Sequence, residues 1–341
     1  MTTKPAQTAI EVAGLRKKFG DKVVLDGLDF EVPRGTVFSL LGPNGAGKTT
    51  AVQILSTLIG ADGGQARVAG RDVARDPEGV RRAIGVTGQY SAVDGLLTGR
   101  ENLILMADLY RLGRAEGRRR ADDLLERFDL VEAGGKLAST YSGGMRRKLD
   151  IAMTLVGDPQ IIFLDEPTTG LDPRSRRAMW DLARGLVAAG VTIFLTTQYL
   201  DEADRLADRI GVLNGGRLVA DGTSEQLKRM VPGGHVVLRL AGPDGLDAAA
   251  RVLPVSARDD EALTLQVPSD GGVRSLRVLL GRLEDEAIEV EEFSVHTPDL
   301  DDVFLALTGD APDGPGAPSG TENPGASTDI TQDDDRKAAS R

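Results

Sequence analysis

The sequence predicts an α/β fold in which a phosphate-binding loop joins a buried strand to a helix. Three observations carry that expectation. Short β-branched runs alternate with longer amphipathic stretches up to about residue 231. Residues 161–164 are wholly apolar, as suits a central strand covered on both faces. A Gly-rich segment beginning at Gly42 lies between an apolar run and a helical pattern, the context such a loop requires.

In chain order, strands are expected at 9–12, 23–32 and 36–41, where aliphatic and aromatic residues cluster between turn signals. A helix over 48–59 follows the glycines, and helices over 101–112, 115–128 and 146–156 repeat their apolar positions at three- and four-residue spacing. Strands at 161–164, 191–196 and 210–213 then alternate with helices at 174–188 and 200–206. Pro232-Gly233-Gly234 punctuates the chain. Beyond it a strand at 235–240, a helix at 246–253, a hairpin of 255–258 with 262–267, a helix at 273–283 and a strand at 287–295 succeed one another. A short helix at 299–307 closes the series, capped by Thr297 or Asp299. The order βαββαβ plus a final helix points to a split ferredoxin-like sandwich. Val303, Phe304 and Leu307 give the last helix one apolar face, expected to pack on this module or on a partner. From Gly309 to Arg341 the chain is rich in Gly, Ser, Thr and Asp with Ile330 as its one large aliphatic residue, so it reads as a disordered acidic tail. The domain division is therefore 1–231, 232–309 and 310–341.

Composition excludes several functions. With 41 basic against 52 acidic residues the net charge is −11, which repels phosphate backbones, and 4% aromatic residues offer little surface for stacking on single strands. No nucleic-acid partner is expected, and Arg118-Arg119-Arg120 reads as a solvated helix face. No cysteine is present, which removes thiol catalysis and cysteine-bound zinc. His235 and His296 are too few and too dispersed in sequence for a metal site, and Trp180 reads as core. Residues 1–13 contain no continuous apolar run of the secretory kind. The longest uncharged run, 185–200, is too polar to span a bilayer. The protein is expected to be soluble or held to a membrane only by a partner.

The chemistry begins at Gly42-Pro43-Asn44-Gly45-Ala46-Gly47-Lys48-Thr49, followed by Thr50. Successive backbone N–H groups at a helix N-terminus form an anion cradle, Lys48 reaches the β- and γ-phosphates, and the Thr49 hydroxyl ligates Mg²⁺. A nucleoside phosphate with Mg²⁺ is the expected ligand pair. The strand 161–164 delivers Asp165 to the carboxyl edge of the sheet, where it can hold Mg²⁺. Glu166 follows as a candidate base or water-orienting group.

With Ser142-Gly143-Gly144-Met145 lying between these two motifs, the chain resembles the ATP-binding subunit of ABC transporters over residues 8–231. The resemblance implies that the nucleotide is ATP, and it implies a P-loop core with an antiparallel β edge and a helical subdomain near residues 90–150. It also implies that Ser142, Gly143 and Gly144 form the signature segment, although Met145 replaces the usual Gln. Gln89, in Val86-Thr87-Gly88-Gln89-Tyr90, matches the Q-loop that senses Mg²⁺ and touches the membrane partner; the bland reading is a loop amide. Asp172 matches the D-loop. Phe19 matches the adenine-stacking aromatic, or is simply core. The family's switch His is replaced by Gln198, whose amide can donate to the γ-phosphate but cannot relay a proton. Lys48, Glu166 and Gln198 are thus the expected catalytic residues, and Thr49, Gln89 and Asp165 the metal-binding ones.

Gln198, the 142–152 segment and the ending Leu300-Asp-Asp-Val-Phe-Leu-Ala-Leu-Thr-Gly309 look like one branch of that family, the daunorubicin/doxorubicin-resistance type of drug exporter. One P-loop and one signature per chain imply a homodimer, since the family sandwiches each nucleotide between two chains. A separate transmembrane permease that binds most of the transported small molecule is implied, with this chain peripheral on the cytoplasmic face of the membrane. Residues 233–309 are expected to support assembly without touching ATP. Within the resemblance, export of a nodulation factor, sodium or a lantibiotic is the neighbouring reading. A soluble ABC ATPase acting on DNA or ribosomes, and a nucleotide-gated sensor without turnover, are the rivals from other classes.

Overall fold

The computed structural model describes residues 8–88, 91–231, 234–296 and 298–309. The chain runs β1 (Thr8–Phe19), β2 (Lys22–Pro33), β3 (Val37–Leu41), α1 (Lys48–Leu55), β4 (Gly63–Val68), β5 (Arg71–Asp72), α2 (Pro77–Ala83) and β6 (Ile84–Thr87). It continues through α3 (Gly99–Leu109), α4 (Arg114–Arg127), α5 (Gly143–Leu155), β7 (Ile161–Asp165), α6 (Pro173–Ala188) and β8 (Thr192–Thr197). Next come α7 (Leu200–Leu206), β9 (Arg209–Asn214), β10 (Arg217–Gly222) and α8 (Ser224–Lys228). The remaining elements are β11 (His235–Leu240), α9 (Pro243–Val252), β12 (Ala257–Asp259), β13 (Thr264–Pro268), α10 (Val273–Asp285), β14 (Val290–His296) and α11 (Leu300–Thr308).

A six-stranded sheet of order β10-β9-β3-β8-β7-β6 forms the centre, parallel except where β10 pairs with β9. Every residue of β3, β7 and β8 is buried, which is why those stretches read as continuous apolar runs. On one face, α3 to α6 cover the sheet through Leu103, Leu149, Leu164, Trp180 and Leu195. On the other lies a second, antiparallel sheet of order β2-β1-β4-β5. Phe30 stacks on Phe38 at 5.2 Å between ring centroids, and Phe38 on Phe194 at 5.4 Å, joining the two sheets. Helix starts follow local capping chemistry: Thr98 and Thr223 form capping boxes, and Asp76, Ser142, Asp172 and Asp299 each accept a backbone N–H of the first turn.

The third sheet, of order β12-β13-β11-β14, is antiparallel throughout, the order a split βαββαβ sandwich requires. Leu238, Leu246, Leu265 and Leu283 fill its core. Among the described residues, no helix is long and apolar enough to cross a membrane.

Several expectations are corrected. The helix starting at Lys48 ends at Leu55, not residue 59, because Thr57 takes a left-handed φ of 63°. Strands β4, β5, β6 and β10 and helices α2 and α8 are not among the expected elements; β4, β5 and β10 are half-exposed and polar, so no clean alternation marks them. The apolar face of the last helix is not covered by its own module. Leu300, Val303 and Phe304 of α11 are buried against Leu41, Leu200, Ala203, Ile210 and Leu227, closing the end of the central sheet. His235 and His296, distant in sequence, meet across β11 and β14 with ring centroids 4.7 Å apart, though no cluster suited to a metal forms among the described residues. The tail expected over 310–341 lies outside the described residues.

Candidate active site

Three adjacent parallel strands end together, and their C-terminal loops supply the site. β3 runs straight into the Gly42–Gly47 turn and α1, with Gly45 and Gly47 at φ of 81° and 110°. A Cβ on Gly47 would stand 2.7 Å from the Leu25 side chain and 2.9 Å from the Val24 carbonyl, so a side chain there would destroy the loop. No side chain caps α1, and no acidic residue sits in its first turn, which leaves its N–H groups facing the loop. Gly42 N–H donates to Thr197 O at 3.2 Å, tying this loop to the end of β8.

Lys48 is 4% exposed. Its ammonium donates to Gly42 O (2.8 Å) and Pro43 O (3.1 Å) and pairs with Glu166 Oε1 at 3.4 Å. Burial lowers its pKa below the ordinary lysine value, opposed by the Glu166 and Asp165 charges. A desolvated cation paired with a carboxylate at the loop mouth is placed to transfer to an incoming phosphate.

Asp165 ends β7 and is buried. Its Oδ1 accepts the Thr49 hydroxyl at 3.3 Å and the Thr196 hydroxyl at 2.5 Å. Its Oδ2 has no hydrogen bond to any described residue, so that carboxylate oxygen, together with the lone pairs of the Thr49 oxygen whose hydrogen faces Asp165, could serve a divalent cation. This donor set, all oxygen, fits Mg²⁺.

Glu166 takes φ 47°, a left-handed conformation costly for a side-chain-bearing residue. Its N–H donates to both the carbonyl and the hydroxyl oxygen of Thr196, each at 3.1 Å, while Thr169 donates to Oε2 at 3.3 Å. The strained turn thereby aims the carboxylate at Lys48 and the loop mouth. Gln198 sits in the bend after β8, half-buried, within a turn closed by the Tyr199 N–H bond to Thr197 Oγ (3.0 Å). Its side chain makes no hydrogen bond to another described residue.

The other expected residues lie apart. Ser142 caps α5, its Oγ accepting Met145 N–H, and Asp172 caps α6, accepting two backbone N–H groups at 2.9 Å and the Ser175 hydroxyl at 2.6 Å. Those bonds, led by the Ser175 hydroxyl, hold the Asp172 carboxyl below its ordinary range. Both residues are exposed, and neither bonds to the 42–49 loop. The two helix starts touch, with the position a Gly144 Cβ would take lying 2.7 Å from Ser175 Oγ. Phe19 is 51% exposed and flanked by the Lys17 ammonium 5.4 Å from its ring centroid, so it is not a core residue. Gln89 lies outside the described residues.

Sequence reasoning missed Thr196, which bonds both acidic residues. Only the register of β7 on β8, which sets Asp165 opposite Thr196, reveals it. It also missed Glu202, fully buried on α7, which accepts the Trp180 indole N–H at 3.1 Å. Burial pushes its carboxyl above the ordinary value, partly offset by such hydrogen bonds.

The family profile described as ABC transporter matches residues 25–169. The chain is 50% identical over 309 residues to the daunorubicin resistance ATP-binding protein DrrA3 of Streptomyces coeruleorubidus, covering 89% of this chain and 97% of that protein. It is 48% identical to the daunorubicin/doxorubicin resistance ATP-binding protein DrrA of Streptomyces peucetius, covering 91% and 94%. It is 37% identical to the Nod factor export ATP-binding protein I of Paraburkholderia xenovorans, covering 89% and 98%. A solved ATP-binding subunit of an ABC transporter superposes with a TM-score of 0.59 at 32% identity, covering 65% of this chain and 93% of the other. The chain belongs to the ABC transporter family, as one of the ATP-binding subunits that hydrolyse ATP to drive transport.

Proposed function

We propose that this chain energises export of a drug or antibiotic, working as a homodimer with ATP and Mg²⁺ on the cytoplasmic face of the membrane, beneath a separate transmembrane permease. The observation that carries the export reading is the 50% identity, over 89% of the chain, to a daunorubicin resistance ATP-binding protein. The Nod factor export relative, at 37%, favours an oligosaccharide signal as the second reading. We further propose the division into 1–231, 232–309 and 310–341.

Bound Mg²⁺ would supply charge neutralisation and would be held by Thr49 and Asp165, with Gln89 proposed from the sequence motif as a further ligand. Lys48 exchanges Glu166 for phosphate oxygens, which frees the Glu166 carboxylate to accept or orient the proton of an attacking water. Gln198 donates its amide N–H towards the terminal phosphate. Phe19 stacks on the base, an assignment supported by its 51% exposure. Ser142, Gly143, Gly144 and Asp172 serve the nucleotide bound by the second chain, supported by the exposure of Ser142, Gly143 and Asp172 and by the lack of any hydrogen bond from Ser142 or Asp172 to the 42–49 loop of their own chain.

Glu166→Gln removes the base and leaves both halves of the composite site intact. It is expected to shift to a dimer in size-exclusion chromatography with ATP and Mg²⁺, while Lys48→Ala loses nucleotide affinity. A Glu166→Gln protein that stays monomeric with nucleotide and permease present counts against the composite site. Co-expression with the permease in a drug-sensitive host tests the cargo: resistance that Lys48→Ala abolishes supports drug export.

A further inference from the structure

Arg147 and Asp150 lie one turn apart on α5, the helix that Ser142 caps, and are only 9% and 2% exposed. Their side chains pair at 3.3 Å. A buried ion pair is a poor means of stabilising a fold, because desolvation consumes most of the attraction and apolar replacements are often as stable. Both groups feel that cost. Burial lowers the pKa of Arg147 and raises that of Asp150, each shift opposed by the other's charge.

The remaining bonds of the pair show what it holds. Arg147 Nε donates to Pro167 O at 3.0 Å and Nη2 to Asp165 O at 3.3 Å, the two carbonyls that bracket Glu166. Arg147 Nη1 donates to Gly88 O at 3.0 Å, and Asp150 Oδ1 accepts Ala92 N–H at 3.1 Å. One rigid guanidinium fork therefore fixes the peptides on both sides of the strained Glu166 turn and also grips the backbone leaving β6. Its carboxylate partner grips the same chain four residues later.

We propose that the Arg147–Asp150 pair is a positioning and coupling device, which sets the backbone around Glu166 and links it mechanically to the backbone at Gly88 and Ala92. The assignment rests on reading Glu166 as the hydrolytic carboxylate. Nucleotide entering beside Lys48 and Glu166 displaces the 165–167 turn, and the fork carries that displacement to Gly88, where the carboxylate carries it on to Ala92. Movement at Gly88 or Ala92 reaches Glu166 by the same route.

The test uses the full chain and two variants. Arg147→Met with Asp150→Leu removes both charges at similar volume and is expected to melt within a few degrees of the parent. Arg147→Lys keeps the charge but presents one nitrogen where three are engaged. Hydrogen exchange is followed by mass spectrometry in the peptide beginning at Ser91, with and without Mg²⁺ and a non-hydrolysable ATP analogue, alongside steady-state ATPase kinetics. The parent is expected to show a nucleotide-dependent change in exchange at Ala92 that both variants lose. In both, kcat falls at least tenfold while KM for ATP changes less than twofold. Parental kcat in either folded variant, or an undiminished nucleotide-dependent change at Ala92, overturns the proposal. Glu166→Gln, with the pair intact, is the control: it retains the exchange change while losing hydrolysis, and a fully active Glu166→Gln would sink the carboxylate reading instead of the linkage.

Discussion

Thr196→Val is the sharpest single test of how the site is held. The substitution keeps shape and β-branching and deletes one hydroxyl, whose hydrogen donates to Asp165 Oδ1 at 2.5 Å and whose oxygen accepts Glu166 N–H at 3.1 Å. A hydrogen bond to a charged group contributes about 1.5–3 kcal/mol. Thr49 still donates to Asp165, and the Glu166 N–H keeps the Thr196 carbonyl, so the loss should fall near the lower bound, about 1.5 kcal/mol. If residues 8–231 unfold as one unit, that is a fall in Tm of about 3–6 °C. If the same contact orients the two carboxylates during hydrolysis, kcat drops about tenfold, since each decade corresponds to about 1.4 kcal/mol. Differential scanning fluorimetry and steady-state ATPase assays read both quantities. Thr196→Ser, which restores the hydroxyl, is expected to recover most of kcat. A Val variant with parental kcat and Tm, or a Ser variant as impaired as Val, would refute the reasoning.

Gln198→Ala is expected to slow ATP hydrolysis about 10²-fold, the low end for losing one positioned donor, whereas Gln198→His stays active; a parental rate in the Ala variant leaves Gln198 without a catalytic role. Glu202 sets a pH dependence: an unfolded glutamate titrates near 4.5, and the buried one keeps its proton to higher pH. Folding therefore takes up a proton between the two values, so stability falls as pH rises through that window. Glu202→Gln should flatten the plot of Tm against pH there, and an unchanged slope would show that another group is responsible. Phe304→Ala is expected to cost about 3–5 kcal/mol in urea titrations, lowering the stability of the ATP-binding region rather than of the β11–β14 module alone.

The sequence by itself determined the chemistry. The 42–49 loop and the Asp165-Glu166 strand end are written in contiguous residues, because a strand, a glycine turn and a helix N-terminus need only local backbone freedom and local donors. The same holds for the βαββαβ module, whose alternating patterns and turns specify its element order along the chain.

Tertiary structure decided what those residues touch. That Thr196 serves Asp165 and Glu166 depends on the register of β7 against β8, and that Arg147 brackets Glu166 depends on how α5 lies across both β6 and β7. Neither follows from spacing along the chain. The apolar face of α11 required burial but carried no information about the surface that would bury it, and it closes the core of α7 and α8 instead of its own module. The strands β4, β5 and β10 escaped notice for a related reason: partly exposed strands owe their conformation to the neighbour that pairs with them, so their own residues show too little alternation to announce it.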